Sequence, residues 1–160
     1  MNDTEKREAA RNFANYWRGR GDEKQDAQMY WVSLLQDVLD VPQATQYIEF
    51  EKKVVVDGQT KFIDGYIPDV RVLIEQKSIT KDLSKPELQS GGTMLTPYQQ
   101  GKRYANNMPL DAMPRYIIAC NFKELWIYDQ NKPGEDPEKI LLENLRISGR
   151  DWIFLFTKNI

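Results

Sequence analysis

This sequence predicts an α/β fold of the α+β kind, a β-sheet flanked by helices, on three observations. Two amphipathic helical segments come first, then β-branched segments divided by tight-turn signals, then one well-capped helix followed by two further apolar strands. Helices and strands grouped this way within 160 residues fit one domain with a real core.

Residues 4–18 carry Ala10, Phe13, Ala14 and Trp17 at the i, i+3, i+4, i+7 positions of one helical face. Gly19-Arg20-Gly21 breaks the pattern. Asp22 is suited to cap a second helix, whose apolar stripe is Ala27, Trp31, Leu34, Leu35 and Val38 and which ends near Asp40, before Pro42. Tyr47 to Val56 reads as a strand, Asp57-Gly58 as a two-residue hairpin turn, and Thr60 to Ile67 as the returning strand. Pro68-Asp69 predicts another tight turn into Val70 to Lys77, which completes a three-strand antiparallel meander. Ser78 to Leu95, with Pro86 and Gly91-Gly92, predicts a long loop. Thr96-Pro97-Tyr98-Gln99 then opens a helix to about Asn107, with Thr96 as N-cap, Pro97 at the first helical position and Gln99 completing a capping box. Arg115 to Cys120 and Leu125 to Asp129 are strands around an Asn121-Phe122-Lys123 turn. Pro133-Gly134 starts a loop, and Trp152 to Phe156 is a final apolar run.

Composition narrows the chemistry. A hydrophobic content of 41% with scattered charge describes an ordinary globule, and no run is long enough to span a membrane or form a signal-peptide core. The single Cys120 cannot form an internal disulfide, so a reducing, cytoplasmic setting is expected. With no histidine, Ser-His-Asp and Cys-His catalysis and histidine-ligated zinc are excluded for this chain. A metal site must use oxygen ligands, which favours Mg²⁺, with Mn²⁺ as substitute. A net charge of -2 is unusual for a free-standing DNA binder, so tight DNA affinity is expected to need another domain or subunit.

The most informative stretch is Phe62 to Lys77. Val70 to Ile74 is an apolar run that ends in Glu75 and Lys77, two residues apart and so on one face of a strand. With Pro68-Asp69 as a two-residue loop, Asp64 falls opposite Leu73 and becomes the diagonal neighbour of Glu75, at roughly 7–8 Å between Cα atoms. Two carboxylates at that spacing can share a cation, whereas a three-residue turn would send Asp64 to the other face. Asp69 lies in the turn itself, about 20 Å of extended chain from Glu75. Counting round Asp57-Gly58 pairs Glu51 with Asp64, a second-tier acid that also begins an ordinary charged stretch. Two acids and an amine on adjacent strands suit metal-assisted hydrolysis of a phosphodiester, although such charges on half-exposed strands are more often a solvated face.

Asp64 on one strand and Glu75-Gln76-Lys77 on the next resemble the signature of the PD-(D/E)xK nuclease superfamily. Gln100-Gly101-Lys102-Arg103-Tyr104 is similar to a Gln-x-x-x-Tyr element of some of its members, its i, i+4 spacing setting both side chains on one helical face. A closer resemblance spans nearly the whole chain. Gly21-Asp22-Glu23-Lys24, Tyr30-Trp31, Phe50-Glu51, Ile63-Asp64-Gly65-Tyr66-Ile67-Pro68, Leu73-Ile74-Glu75-Gln76-Lys77-Ser78, Leu95-Thr96-Pro97 and Cys120-Asn121-Phe122 follow in one order, similar to the N-terminal endonuclease domain of MmeI-like restriction-modification enzymes.

The resemblance implies a restriction-endonuclease-like core, with a mixed central β-sheet flanked by helices, and a Mg²⁺-dependent hydrolase acting on duplex DNA. Asp64 and Glu75 would bind the metal, with the Gln76 backbone carbonyl as a further ligand. Lys77 would orient or activate the attacking water and stabilise phosphate charge, while Gln100 would support the site or contact the backbone, with Tyr104 beside it. Glu23 would be an outer acidic ligand, or simply a favourable charge at a helix N-terminus. No glycine-rich S-adenosylmethionine loop or Asn-Pro-Pro-Tyr-type motif occurs in the 160 residues. The chain is therefore expected to be a fragment or a stand-alone relative, with methyltransferase and target-recognition parts downstream or in trans. Cutting both strands would call for dimerisation on DNA. A catalytically silent docking module of the same fold, or a repair or recombination nuclease, are the alternatives.

Overall fold

The computed structural model describes residues 1–145 and Phe156. Most of the expected Trp152–Phe156 run therefore lies outside the described residues. Helix α1 (Asp3–Trp17) is capped by Asn2, whose side chain accepts the Glu5 N–H, and buries the expected Ala10, Phe13, Ala14 and Trp17. Asp22 caps a turn rather than a helix: its carboxylate accepts the Lys24 and Gln25 N–H groups. Helix α2 (Ala27–Ser33) starts later and continues as a π-helical turn, Leu34–Val38; a short helix α3 (Ala44–Tyr47) precedes the sheet.

Strands β1 (Glu49–Val56), β2 (Gln59–Ile67) and β3 (Val72–Gln76) form the expected meander. The Asp57-Gly58 turn pairs Val56 with Gln59, as the sequence predicts. The next turn corrects the prediction. Ile67 pairs with Val72, so Pro68 to Arg71 form a four-residue loop in which Arg71 takes the left-handed φ of 52°. Arg71 spends its N–H on the Pro68 carbonyl.

Residues 78–95 are not wholly loop, since β4 (Glu87–Leu88) and β5 (Met94–Leu95) make a small separate hairpin. Helix α4 (Pro97–Ala105) carries the predicted capping box, with Thr96 accepting the Gln99 N–H and Gln99 accepting the Thr96 N–H. Strands β6 (Tyr116–Cys120) and β7 (Glu124–Asp129) follow, with β8 (Glu138–Leu141) at the edge. The six-stranded sheet runs β1-β2-β3-β6-β7-β8, parallel only between β3 and β6 and antiparallel elsewhere. It is a mixed sheet flanked by helices, consistent with a restriction-endonuclease-like core. A parallel pair needs a long crossover, and here the crossover contains α4.

Each face of the sheet has its own core. Val72, Ile74, Ile118 and Cys120 pack with the α1–α2 side, around Phe13, Trp17, Tyr30, Trp31 and Phe122. Leu73, Ile117, Ile63 and Tyr66 pack with Tyr104 and Ala105 of α4. A Cβ built on Gly101 would lie 3.0 Å from Ile117 and 3.2 Å from Leu73, so the glycine lets α4 lie directly on the strands. Among the described residues, no helix is long and apolar enough to cross a membrane.

Candidate active site

The β2–β3 register brings the predicted acids closer than the sequence reading expected. The β2–β3 ladder ends at the Gly65–Ile74 pair, and continuing its register by one step sets Asp64 across from Glu75 rather than from Leu73. The longer turn shifts pairing by two residues, and a two-residue shift keeps every side chain on its face. The predicted convergence of Asp64 and Glu75 is therefore met through a different register. Asp64 Oδ2 accepts the Gln76 N–H at 2.7 Å, which ties the carboxylate to the end of β3.

Lys77 lies just past β3, where its own N–H donates to the Cys120 carbonyl at 2.7 Å. That bond continues the β3–β6 pairing and fixes the direction of the side chain. Lys77 Nζ reaches Glu75 Oε1 at 3.5 Å and donates to Gln100 Oε1 at 3.4 Å. Gln100 Nε2 in turn donates to the Tyr104 hydroxyl at 2.9 Å. Both residues of the Gln-x-x-x-Tyr element thus belong to the cluster, with Tyr104 buried and Gln100 turned inward.

Between the two cluster residues of β3, the Gln76 side chain points to the opposite face. Its Oε1 accepts the Trp31 indole N–H at 2.7 Å and its Nε2 donates to the Lys77 carbonyl at 3.0 Å. This anchoring holds the strand end against α2. An extended residue presents N–H and C=O on the same side, so the Gln76 carbonyl faces the Asp64 edge.

Electrostatics set these groups apart from a solvated face. Glu75 is 3% exposed, and its Oε2 has no hydrogen-bond partner. Burial, reinforced by Asp64, pushes the Glu75 carboxyl well above its ordinary range. Burial also raises Asp64 to about 6, against the lowering effects of the Gln76 N–H and Lys77. For Lys77, burial alone favours the neutral amine, but Glu75, Glu87, Glu23 and Asp64 outweigh it and the net shift is upward. Lys77 is held as an ammonium.

Two acids behave differently from expectation. Glu51 is exposed and adopts a left-handed φ of 53°, and the β1–β2 ladder skips its step opposite Asp64 while pairing on both sides. It is the weakest of the charges named as acting on Asp64. Glu23 does not open a helix, because α2 starts at Ala27 behind Asp26. It stands near the cluster instead: partial burial raises its carboxyl, Lys77 lowers it and Glu87 raises it.

Sequence reasoning missed Glu87 and Lys81. Glu87 Oε2 lies 3.6 Å from Lys77 Nζ, and Glu87 Oε1 lies 3.0 Å from Lys81 Nζ. The two acidic partners of Lys77 thus come from different elements. Nothing in the spacing of residues 78–95 could have assigned Glu87 to the cluster, because that segment has no regular periodicity. Cys120 is buried on the opposite face, and burial pushes its thiol to about 11, so it offers no nucleophile.

Among the described residues, no three acids, cysteines or histidines are grouped closely enough to enclose an ion by themselves. The arrangement offers two carboxylates, a backbone carbonyl and an ammonium at one sheet edge. A family model described as MmeI, N-terminal domain, matches residues 8–156. No curated protein and no solved structure matches the chain.

Proposed function

The chain belongs to the MmeI N-terminal domain family, a restriction-modification family, and from that premise we propose that it is a Mg²⁺-dependent endonuclease domain hydrolysing phosphodiesters of duplex DNA. The observation that carries the proposal is the buried Glu75 carboxylate with a partnerless oxygen, set beside Asp64 and the Lys77 ammonium.

The donor set fits a hard divalent cation. Two repelling carboxylates, Asp64 pushed up to about 6 and Glu75 well above its ordinary range, have only the Lys77 ammonium against them and would gain from the charge such an ion brings. Asp64, Glu75 and the Gln76 carbonyl would hold Mg²⁺, with water and a DNA phosphate completing a shell that Mg²⁺ rarely draws from protein alone. When bound, the ion supplies positive charge against the charge that builds on the phosphate.

The other steps belong to this chain's residues. Lys77, held protonated, donates hydrogen bonds to the attacking water and to a phosphate oxygen; it orients rather than deprotonates. Gln100 accepts one Lys77 N–H, and Tyr104 fixes the Gln100 amide, so the ammonium has a set direction. Water attacks phosphorus and gives up its proton to bulk solvent, the bond to the 3′ oxygen breaks and that oxygen takes a proton from solvent, leaving 5′-phosphate and 3′-hydroxyl ends. Sequence specificity lies outside these residues, in recognition and methyltransferase parts downstream or in trans.

Nicking of supercoiled plasmid with Mg²⁺, by the chain joined to its natural downstream region, tests the proposal. Lys77→Ala is expected to lower the rate by roughly 10²-fold or more. A variant that cuts as fast as the parent removes the assignment. The net charge of -2 favours a second reading, a silent docking module. Calorimetric titration with Mn²⁺ separates the two, because binding that disappears in Asp64→Ala speaks against a silent module.

A further inference from the structure

A largely polar pocket of about 180 Å³ opens beside the cluster, between four elements, with Val56 of β1 as its apolar wall. Lys61 comes from β2, Gln89 and Ser90 from the turn side of the β4–β5 hairpin, and Gln100, Arg103 and Tyr104 from α4. No carboxylate lines it. Two half-buried cations, an alcohol, amides and a phenol form a donor-rich surface suited to an anion.

Both cations are held weakly. Lys61 Nζ donates to Ser90 Oγ at 3.0 Å, a neutral partner. Arg103 pairs at 2.7 Å with Asp57, whose side chain is 82% exposed at the tip of the β1–β2 hairpin. An ion pair open to water on one side contributes little, so a better anion can replace Asp57. Helix α4 itself carries no acid that would repel such an anion.

The pocket adjoins the site through shared residues. Gln100 and Tyr104 line it and also form the chain of hydrogen bonds leading to Lys77. Gln100, Arg103 and Tyr104 follow i, i+3, i+4 spacing, so Arg103 is one turn beyond Gln100 on the same helical face. Three residues advance about 4.5 Å along a helix, so an anion at Arg103 neighbours the Gln100 end of the Lys77 site. Each strand of duplex DNA presents a phosphate about every 3.4 Å of rise.

We propose that this pocket binds a backbone phosphate of the DNA strand next to the scissile bond, with Lys61 and Arg103 as its cations and Ser90 and Gln89 as neutral donors. The assignment takes its ligand from the endonuclease reading. It does not require cleavage.

The test is equilibrium binding of a fluorescein-labelled random-sequence duplex to the full chain, in EDTA, across a KCl series starting at low salt. Loss of one phosphate contact in Lys61→Gln/Arg103→Gln is expected to weaken binding about tenfold and make the slope of log K against log[KCl] shallower by about 0.9. Lys61→Arg/Arg103→Lys retains the parent slope, and so does Lys6→Ala, a cation on α1. Thermal melts of all variants guard against misfolding. A glutamine double variant with parent affinity and slope overturns the proposal, as does a parent chain that binds no duplex at low salt. Mg²⁺-dependent nicking is scored separately, with recognition and methyltransferase parts supplied as in the test above. Variant-sensitive binding without nicking keeps the pocket and sinks the nuclease, whereas nicking with variant-insensitive binding does the reverse.

Discussion

Asp64→Asn should make this protein more stable, and the size of the gain follows from where the carboxylate sits. Asparagine keeps an oxygen to accept the Gln76 N–H, now made at 2.7 Å, but removes the charge. Asp64 moves from 3.8 to about 6 on folding, mainly through burial. Between those values the native state binds more protons than the unfolded state. The Asp64 contribution to stability is therefore most favourable below pH 4 and falls as pH rises through about 6. That displacement corresponds to about 2–3 kcal/mol in the ionised form. At pH 7.5 the asparagine variant should melt roughly 5–10 °C above the parent, and the gap should shrink toward pH 4. Differential scanning calorimetry from pH 4 to 8 measures both features. A second arm adds MgCl₂: at ten times Kd, a bound ion contributes about 1.4 kcal/mol to the parent, and the variant should lose that gain. An asparagine variant no more stable than the parent at pH 7.5, or a gap that persists unchanged at pH 4, refutes the reasoning.

Two further substitutions probe the supports of the cluster. Gly101→Ala adds a methyl group 3.0 Å from Ile117 and 3.2 Å from Leu73, both fully buried. Overpacking of about 1–3 kcal/mol outweighs a helix-propensity gain of about 1 kcal/mol, so urea titration should show a net loss, and a more stable variant contradicts the packing argument. Glu87→Gln removes a carboxylate 3.6 Å from Lys77 that competes with phosphate for the ammonium. Duplex affinity by fluorescence anisotropy should rise roughly three- to tenfold, and weaker binding would make Glu87 a partner of the ligand, not its competitor.

The meander was legible because its signals are local. Asp57-Gly58 admits the left-handed backbone that a tight hairpin needs, with Asp57 at φ 51° and Gly58 at φ 76°. The α4 cap was legible for the same reason, each partner being three residues from the other. Pro68-Asp69 misled because proline suits the start of many turns, and nothing local shows that Arg71 takes the left-handed conformation that lengthens the loop. The parallel β3–β6 pairing rests on contacts between residues about forty positions apart, which no periodicity reports. Strand β8, Glu138-Lys139-Ile140-Leu141, escaped because an edge strand needs only one buried face and uses charge to discourage further pairing. In the cluster, spacing singled out Asp64, Glu75 and Lys77, and the family resemblance added Gln100 and Tyr104. Glu87 needed the fold.

The cluster also runs against what the rest of the sheet does. On the α4 face, β3 continues Leu73, fully buried, with Glu75 at 3% exposure, where an apolar side chain would pack without any desolvation penalty. Lys77 offsets only part of that penalty: it contacts one Glu75 oxygen and leaves the other without a hydrogen bond. Buried ion pairs replaced by apolar residues of similar volume are often neutral or stabilising, so stability gives no reason for acids at 64 and 75. Meanwhile the opposite face of the same strand satisfies its polar group completely, Gln76 accepting from Trp31 and donating to the Lys77 carbonyl. One strand thus carries a finished polar contact on one side and an unfinished one on the other. On the proposed reading, the unfinished side is where a cation and a phosphate would complete the bonding.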